Sequence, residues 1–345
     1  MKKRLMALVT AAALFLGACG NTSGSSNAEA AKGGQGNTAS VGQAAPAGEK
    51  ITIGLTYVPD VQFAPLYVAE EKGYFAEQGL NIELRHHGAQ EGLLTALQGG
   101  SEDVVFAGAD EMLEGRSNGT DVVNWATMYQ QYPVVLIVPE DSPIHSPADL
   151  AGRSVGLPGP YGSNYYALQA MLQAYDLTDK VDVQYIGYTQ QSALSTGKVD
   201  AVVGFLNSDV PAITRQGQPV REIQMMEGGL PLVSVGFGSL APTLEKHEAE
   251  FRKILSALDK AVSFAAENPD ETLDITAKEV PALTEPENRE AAREVLQRTL
   301  QLYTGSRTFG SQDEAKWQAM VEFMNTYVLS QPVAADGAYR ELVQD

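Results

Sequence analysis

Ile51-Thr52-Ile53-Gly54-Leu55, Leu80-Asn81-Ile82-Glu83-Leu84 and Asp103-Val104-Val105-Phe106-Ala107 are three short apolar runs separated by two segments of helical period. The first of those segments, Pro65 to Gln78, opens on proline and stops at Gly79; the second spans Gln90 to Gln98. Strand, helix, strand, helix, strand in this order predicts a mostly parallel sheet with helices on both faces, an α/β fold.

The pattern then repeats. Val134 to Val138 reads as a strand running into Pro139 and Pro143, and after Asp149-Leu150-Ala151-Gly152 a second series begins at Ser154-Val155-Gly156-Leu157. It continues through Tyr165 to Tyr175 (helix), Val181 to Ile186 (strand), Gln190 to Thr196 (helix) and Asp200 to Phe205 (strand). Leu232 to Gly236 returns as a strand, and most of Leu244 to Leu329 has helical period. A second α/β unit inserted in the first gives two lobes, here expected as 51–138 plus 237–345 (lobe I) and 139–236 (lobe II), with crossovers near Val138–Pro143 and Leu232–Phe237. Ligands of open α/β sheets bind outside the strand carboxyl ends, so two such sheets facing each other predict a cleft that closes by hinge motion on a small molecule.

Loops at strand carboxyl ends supply the candidate site. Thr56 to Pro65 carries Tyr57, Asp60, Gln62 and Phe63, aromatics that suit stacking on a flat ring and polar groups that suit its edge. Packing at the helix entry is the competing role for the two aromatics. Asp110 follows the third strand, and Tyr129 precedes the crossover. Gly159-Pro160-Tyr161-Gly162-Ser163-Asn164-Tyr165-Tyr166 is a glycine-rich turn into a helix whose free N–H groups suit an oxygen or anion, but it lacks a P-loop lysine. Tyr161, Ser163 and Tyr165 are the candidates there. Asn207 and Asp209 follow a buried strand, where they either read ring donors or cap the next helix.

The run Tyr57-Val58-Pro59 with Ala64-Pro65-Leu66-Tyr67-Val68-Ala69-Glu70-Glu71-Lys72-Gly73-Tyr74-Phe75 resembles the opening of substrate-binding proteins of ABC importers. It is most similar to the branch that binds thiamine pyrimidine precursors and related heteroaromatic vitamins, with relatives for alkylsulfonates and taurine. Ser146-Pro147-Ala148-Asp149-Leu150-Ala151-Gly152-Arg153 and Gly197-Lys198-Val199-Asp200-Ala201 match the same superfamily, so the resemblance spans roughly 51–330. Pro158-Gly159-Pro160-Tyr161-Gly162 and Tyr129-Gln130-Gln131-Tyr132-Pro133 are similar to riboflavin-binding relatives. In those relatives the segment at Asn207-Ser208-Asp209 more often reads as two asparagines followed by Glu-Pro. The resemblance implies a two-lobed periplasmic-binding-protein-like fold of type II and a heteroaromatic ligand, either a thiamine pyrimidine precursor or riboflavin. It also implies delivery to a permease driven by a cytoplasmic ATPase. The alternative ligand is an alkylsulfonate or taurine-like anion. A different alternative is an enzyme resembling the eukaryotic thiamine-pyrimidine synthase, which uses a histidine and a cysteine-rich motif.

Composition bears on that last alternative. Cys19 is the single cysteine, so the body has no disulfide, thiolate metal site or cysteine nucleophile. His86, His87, His145 and His247 are scattered, His86-His87 reading as the end of a strand; no nucleophile elbow occurs, and no metal or cofactor is expected. The formal charge of −19 opposes nucleic-acid phosphates and suits a soluble body, expected as a monomer. At the start, Lys2-Lys3-Arg4, the apolar Leu5 to Leu16 and Leu16-Gly17-Ala18-Cys19 resemble a bacterial lipoprotein signal. Residues 1–18 would then be lost and Cys19 lipidated, leaving 19–49, rich in Gly, Ser, Ala, Asn and Gln, as a flexible tether to an extracytoplasmic, membrane-anchored body.

Overall fold

The computed structural model describes residues 48–87, 91–305 and 307–343, so Cys19, the signal segment and nearly all of the expected tether lie outside the described residues. Among the described residues ten strands form two five-stranded sheets. The strands are β1 (Lys50–Leu55), β2 (Asn81–His86), β3 (Val104–Gly108), β4 (Val122–Thr127), β5 (Val134–Pro139), β6 (Ser154–Leu157), β7 (Asp182–Tyr185), β8 (Ala201–Phe205), β9 (Val220–Ile223) and β10 (Val235–Leu240). Sheet order is β2-β1-β3-β10-β4 in lobe I and β7-β6-β8-β5-β9 in lobe II.

In each sheet the first three strands are parallel and one antiparallel strand is slotted beside the third. That strand is the first one after a crossover: β5 on entering lobe II and β10 on returning to lobe I. The expected boundary at 138/139 is therefore corrected. Val134–Ile137 pair with Phe205–Val202, so the first crossover lies between Thr127 and Val134. The second lies between Ile223 and Val235, because Val235–Gly238 pair with Gly108–Val105; the strand expected at Leu232–Gly236 starts three residues later.

The central strand β3 is apolar because both of its faces are covered and every residue in it is buried, and the edge strand β4 is buried throughout as well. The expected helix at Pro65–Gln78 breaks at Gly73, whose φ of 75° is the left-handed conformation that glycine adopts without a steric penalty. Its two parts are Ala64–Glu71 and Tyr74–Glu77. Of the segment expected as helix over Gln90–Gln98, only Thr95–Gln98 is helical among the described residues. Helix Ala241–Glu267 buries Leu244, Phe251, Ile254, Leu255, Leu258, Ala261 and Ala265, an i, i+3, i+4 stripe against sheet I. No described helix is long and apolar enough to cross a membrane.

Candidate functional site

The carboxyl ends of the parallel strands point into one cleft of about 550 Å³, within the range of small-molecule sites. Lobe I contributes Thr56, Tyr57 and Asp60–Phe63 after β1, and Phe106–Gly108 with Glu111 at the end of β3. Lobe II contributes Pro158 and Tyr161–Asn164 after β6, Tyr188 and Gln190 after β7, and Phe205, Ser208 and Asp209 after β8. A further wall comes from Leu283 and, on helix Pro286–Tyr303, Asn288, Ala292 and Val295.

Aromatic groups from both lobes dominate the cleft. Phe63 and Phe106 meet edge to face at 6.2 Å, and Phe63 also meets the His86 ring at 5.4 Å. His86 bonds the Tyr67 hydroxyl (2.9 Å) and the Tyr57 carbonyl (3.0 Å), which fixes the loop after β1. Burial lowers the His86 pKa, favouring the neutral ring. Tyr57, Tyr161 and Tyr188 are 47%, 50% and 69% exposed, so their faces are open to a ligand. The Tyr161 ring lies over Gly159, where a Cβ would come within 2.3 Å of it, so a larger residue there would push the ring aside. Burial, with the neighbouring Tyr161 hydroxyl, pushes Tyr188 up to about 12.

Acidic groups line the same space. Asp60 Oδ1 accepts from Gln62 N–H (3.1 Å) and starts the turn Val61–Phe63; Asp209 Oδ2 accepts from Phe205 N–H (2.8 Å) at the start of helix Asp209–Arg215. Burial raises both carboxyls, and Asp60 raises Asp209 further. Deeper in the neck, helix Ala109–Ser117 of lobe I meets helix Gly162–Ala174 of lobe II start to start. Asp110 accepts from the Tyr132 hydroxyl, Ser163 Oγ (3.2 Å) and Glu111 N–H (2.8 Å). Glu111 Oε2 accepts from Gly108 N–H (3.2 Å). A Cβ at Gly108 would strike Asp110, Glu111 and Ser163 at 2.3, 2.8 and 2.9 Å, so glycine is what permits this junction. Burial raises both acids, and the Asp110 charge raises Glu111 further. The Tyr166 hydroxyl donates to Glu114 (2.6 Å), a second bond across the neck.

Of the ten sequence candidates, Tyr57, Asp60, Phe63, Tyr161, Ser163 and Asp209 line the cleft. Four do not. Asp110 is fully buried beneath it, spent on the lobe-to-lobe bonds. Tyr129 is a core residue packed on Phe106 (6.1 Å) and Tyr303 (5.1 Å). Tyr165 turns to the lobe II core and Tyr166. Asn207 is buried, its amide donating to Thr299 Oγ1 (3.0 Å) on the lobe I helix. Sequence reasoning missed Tyr188 and Gln190, although the strand-end rule that found Tyr57 applies to them through β7. Arg215 and Asn288, on helices away from strand ends, carry no such signal. Among the described residues no group of three or more His, Cys, Asp or Glu side chains is placed to hold a metal ion.

Two α/β lobes with this strand order, closing a cleft at the strand carboxyl ends, define a periplasmic-binding-protein fold. The chain belongs to the NMT1/THI5 like family, whose sequence model matches residues 60–272. It is 28% identical over 347 residues to the riboflavin-binding protein RibY of Chloroflexus aurantiacus, covering 98% of this chain and 97% of that one. It is 26% identical over 320 residues to the formylaminopyrimidine-binding protein of Halalkalibacterium halodurans, covering 89% and 94%. The 4-amino-5-hydroxymethyl-2-methylpyrimidine phosphate synthase of Legionella pneumophila is a more distant relative, 22% identical over 240 residues, 69% and 76% covered. In fold, the chain matches the crystal structure of the periplasmic aliphatic sulphonate-binding protein SsuA of Escherichia coli with a TM-score of 0.70 at 18% identity, covering 86% and 94%.

Proposed function

We propose that this chain is the substrate-binding component of an ABC importer. It captures a heteroaromatic vitamin or precursor, riboflavin or a thiamine pyrimidine, and hands it to a membrane permease powered by a cytoplasmic ATPase. The carrying observation is the set of open tyrosine faces, Tyr57 from lobe I with Tyr161 and Tyr188 from lobe II, around a floor of Phe63, Phe106 and Phe205. Rings held from both lobes stabilise the closed state relative to the open one, which is the only work a binding protein must do. The sulfonate alternative calls for an anion at the helix start near Ser163. That position is already faced by Asp110, which accepts from Ser163 Oγ and whose charge opposes a second negative group.

The body lacking residues 1–20 is expected to bind one ring compound per chain and to return it unchanged, read by calorimetry followed by chromatography. Tyr57→Ala or Tyr161→Ala is expected to weaken that ligand about fivefold or more, since an aromatic stack contributes roughly 1 kcal/mol beyond area burial. Conversion of a pyrimidine by the wild type would replace the binding role with that of a synthase. Salt-sensitive taurine binding indifferent to both tyrosines would replace the ring with a sulfonate.

The extracytoplasmic, lipid-anchored placement is part of the same reading and rests on Leu16-Gly17-Ala18-Cys19. Cys19→Ser is expected to release the protein from membranes in cell fractionation while the body keeps its melting temperature. Membrane retention equal to wild type removes the anchor from the proposal.

A further inference from the structure

Among the described residues, the acidic and basic side chains that line the cleft are Asp60, Glu111, Asp209 and Arg215. Their arrangement is one-sided. The three acids come from strand ends, where burial holds each above the ordinary carboxylate range. Arg215 closes the far end of helix Asp209–Arg215, six residues from Asp209 and so roughly 9 Å along the axis, and it is exposed. Asp209 is tightly seated: a Cβ at Gly204 would meet its Oδ2 at 2.8 Å, so the β8 backbone and the Phe205 N–H fix the carboxylate. Asp60 is fixed in the same way by Gln62 N–H. Two acids, one per lobe, are thus held by backbone bonds on one oxygen while lining the same cleft.

We propose that Asp60 and Asp209 are the specificity determinants of the cleft, gripping an N–H or O–H edge of the ring from opposite lobes and rejecting phosphorylated or sulfonated ligands. This rests on the heteroaromatic reading and narrows it to unphosphorylated ligands. An ionised carboxylate only accepts hydrogen bonds, so two of them in a partly dehydrated cleft are satisfied by a ligand that donates. The imide N–H of a flavin and the amino group of a pyrimidine are such edges. A phosphorylated or sulfonated ligand instead brings a further negative charge into the cleft against Asp60 and Asp209. Closure itself then depends on the ligand, because only a donor edge lets the two lobes bring their acids together.

Two ligand pairs test this by calorimetry: riboflavin with its 5′-phosphate, and 4-amino-5-hydroxymethyl-2-methylpyrimidine with its phosphate. The unphosphorylated member of whichever pair binds is expected to bind at least about tenfold tighter, the scale of one unfavourable charge contact. Asp60→Asn and Asp209→Asn keep the side-chain shape, and each is expected to cost the neutral ligand about tenfold, as for loss of a charge-assisted bond. In the double Asn variant the gap between neutral and phosphorylated ligand is expected to shrink below about threefold, because the repelling charges are gone. Equal binding of parent and phosphate by wild type overturns the inference while leaving the ring reading intact; loss of that phosphate binding in Arg215→Ala would then assign the anion to the helix end. A gap unchanged in the double variant also overturns it, since exclusion would then be steric. If neither ring pair binds, the heteroaromatic reading fails and the inference with it.

Discussion

Trp125→Ala is expected to cost about 4 kcal/mol of stability, the middle of the range for emptying an aromatic site in a core. Trp125 is fully buried on β4 between two stacked rings, Phe237 at 5.0 Å and Phe251 at 4.6 Å, with interplanar angles of 14° and 12°. Its indole N–H donates to Ser239 Oγ at 3.1 Å, so truncation also leaves a buried hydroxyl without that partner. The two rings come from β10 and from helix Ala241–Glu267, the elements that carry the chain back from lobe II, so the stack fastens the return crossover to sheet I. Differential scanning calorimetry is the measurement, with Trp125→Phe as the control that keeps a ring in the stack. For a body of this size the Ala variant is expected to melt roughly 6 °C below wild type. A loss under about 1 kcal/mol would show that the neighbouring rings close the gap, and that the stack is not what anchors the lobe.

The residues that were readable from sequence are those whose role is fixed locally. β1, β3, β6 and β8 were legible because a parallel strand covered on both faces is a continuous apolar run bounded by turn residues. Val134–Pro139 was legible as a strand but not as a member of lobe II. Its apolar run suits either sheet, and only pairing with Phe205–Val202, far along the chain, decides between them. The site divides in the same way. Strand-end position selected Tyr57, Asp60, Phe63, Tyr161, Ser163 and Asp209, and the structure places their side chains at the cleft. It failed for Tyr129 and Asn207, since a loop position does not say whether a side chain turns to the cleft or to Tyr303 and Thr299 on a distant helix. Asp110 is the instructive middle case. Its position beside the cleft was right, but its use in joining the lobes depends on Ser163 and Tyr132, whose proximity no local pattern encodes.

Asp110→Ala is expected to destabilise the protein by about 2–3 kcal/mol near pH 5, the cost of leaving buried donors unpaired. The donors are the Tyr132 hydroxyl, Ser163 Oγ and the Glu111 amide, and the first two belong to the segment entering lobe II and to lobe II itself. The loss is therefore one of lobe-to-lobe registry as well as of packing. Its pH dependence has a definite sign. Asp110 and Glu111 are both raised in the folded state, chiefly by burial, with mutual repulsion adding to Glu111. An acid whose folded pKa is raised favours the folded state while protonated. That contribution is complete below the unfolded carboxylate range and is lost as pH rises through the folded pKa, because the native state then holds the proton that the unfolded chain has released. Wild type is thus expected to lose stability between about pH 5 and pH 8 at this junction. Asp110→Ala, relieved of one of the two charges, is expected to lose less, so its deficit against wild type narrows as pH rises. Glu111→Gln, fixed in the uncharged form, is expected to flatten the same slope without orphaning the three donors. Thermal melts of the three proteins across this range decide the matter: a deficit that widens with pH would mean that the Asp110 charge stabilises the neck, and that its bonds to Tyr132 and Ser163 outweigh its burial.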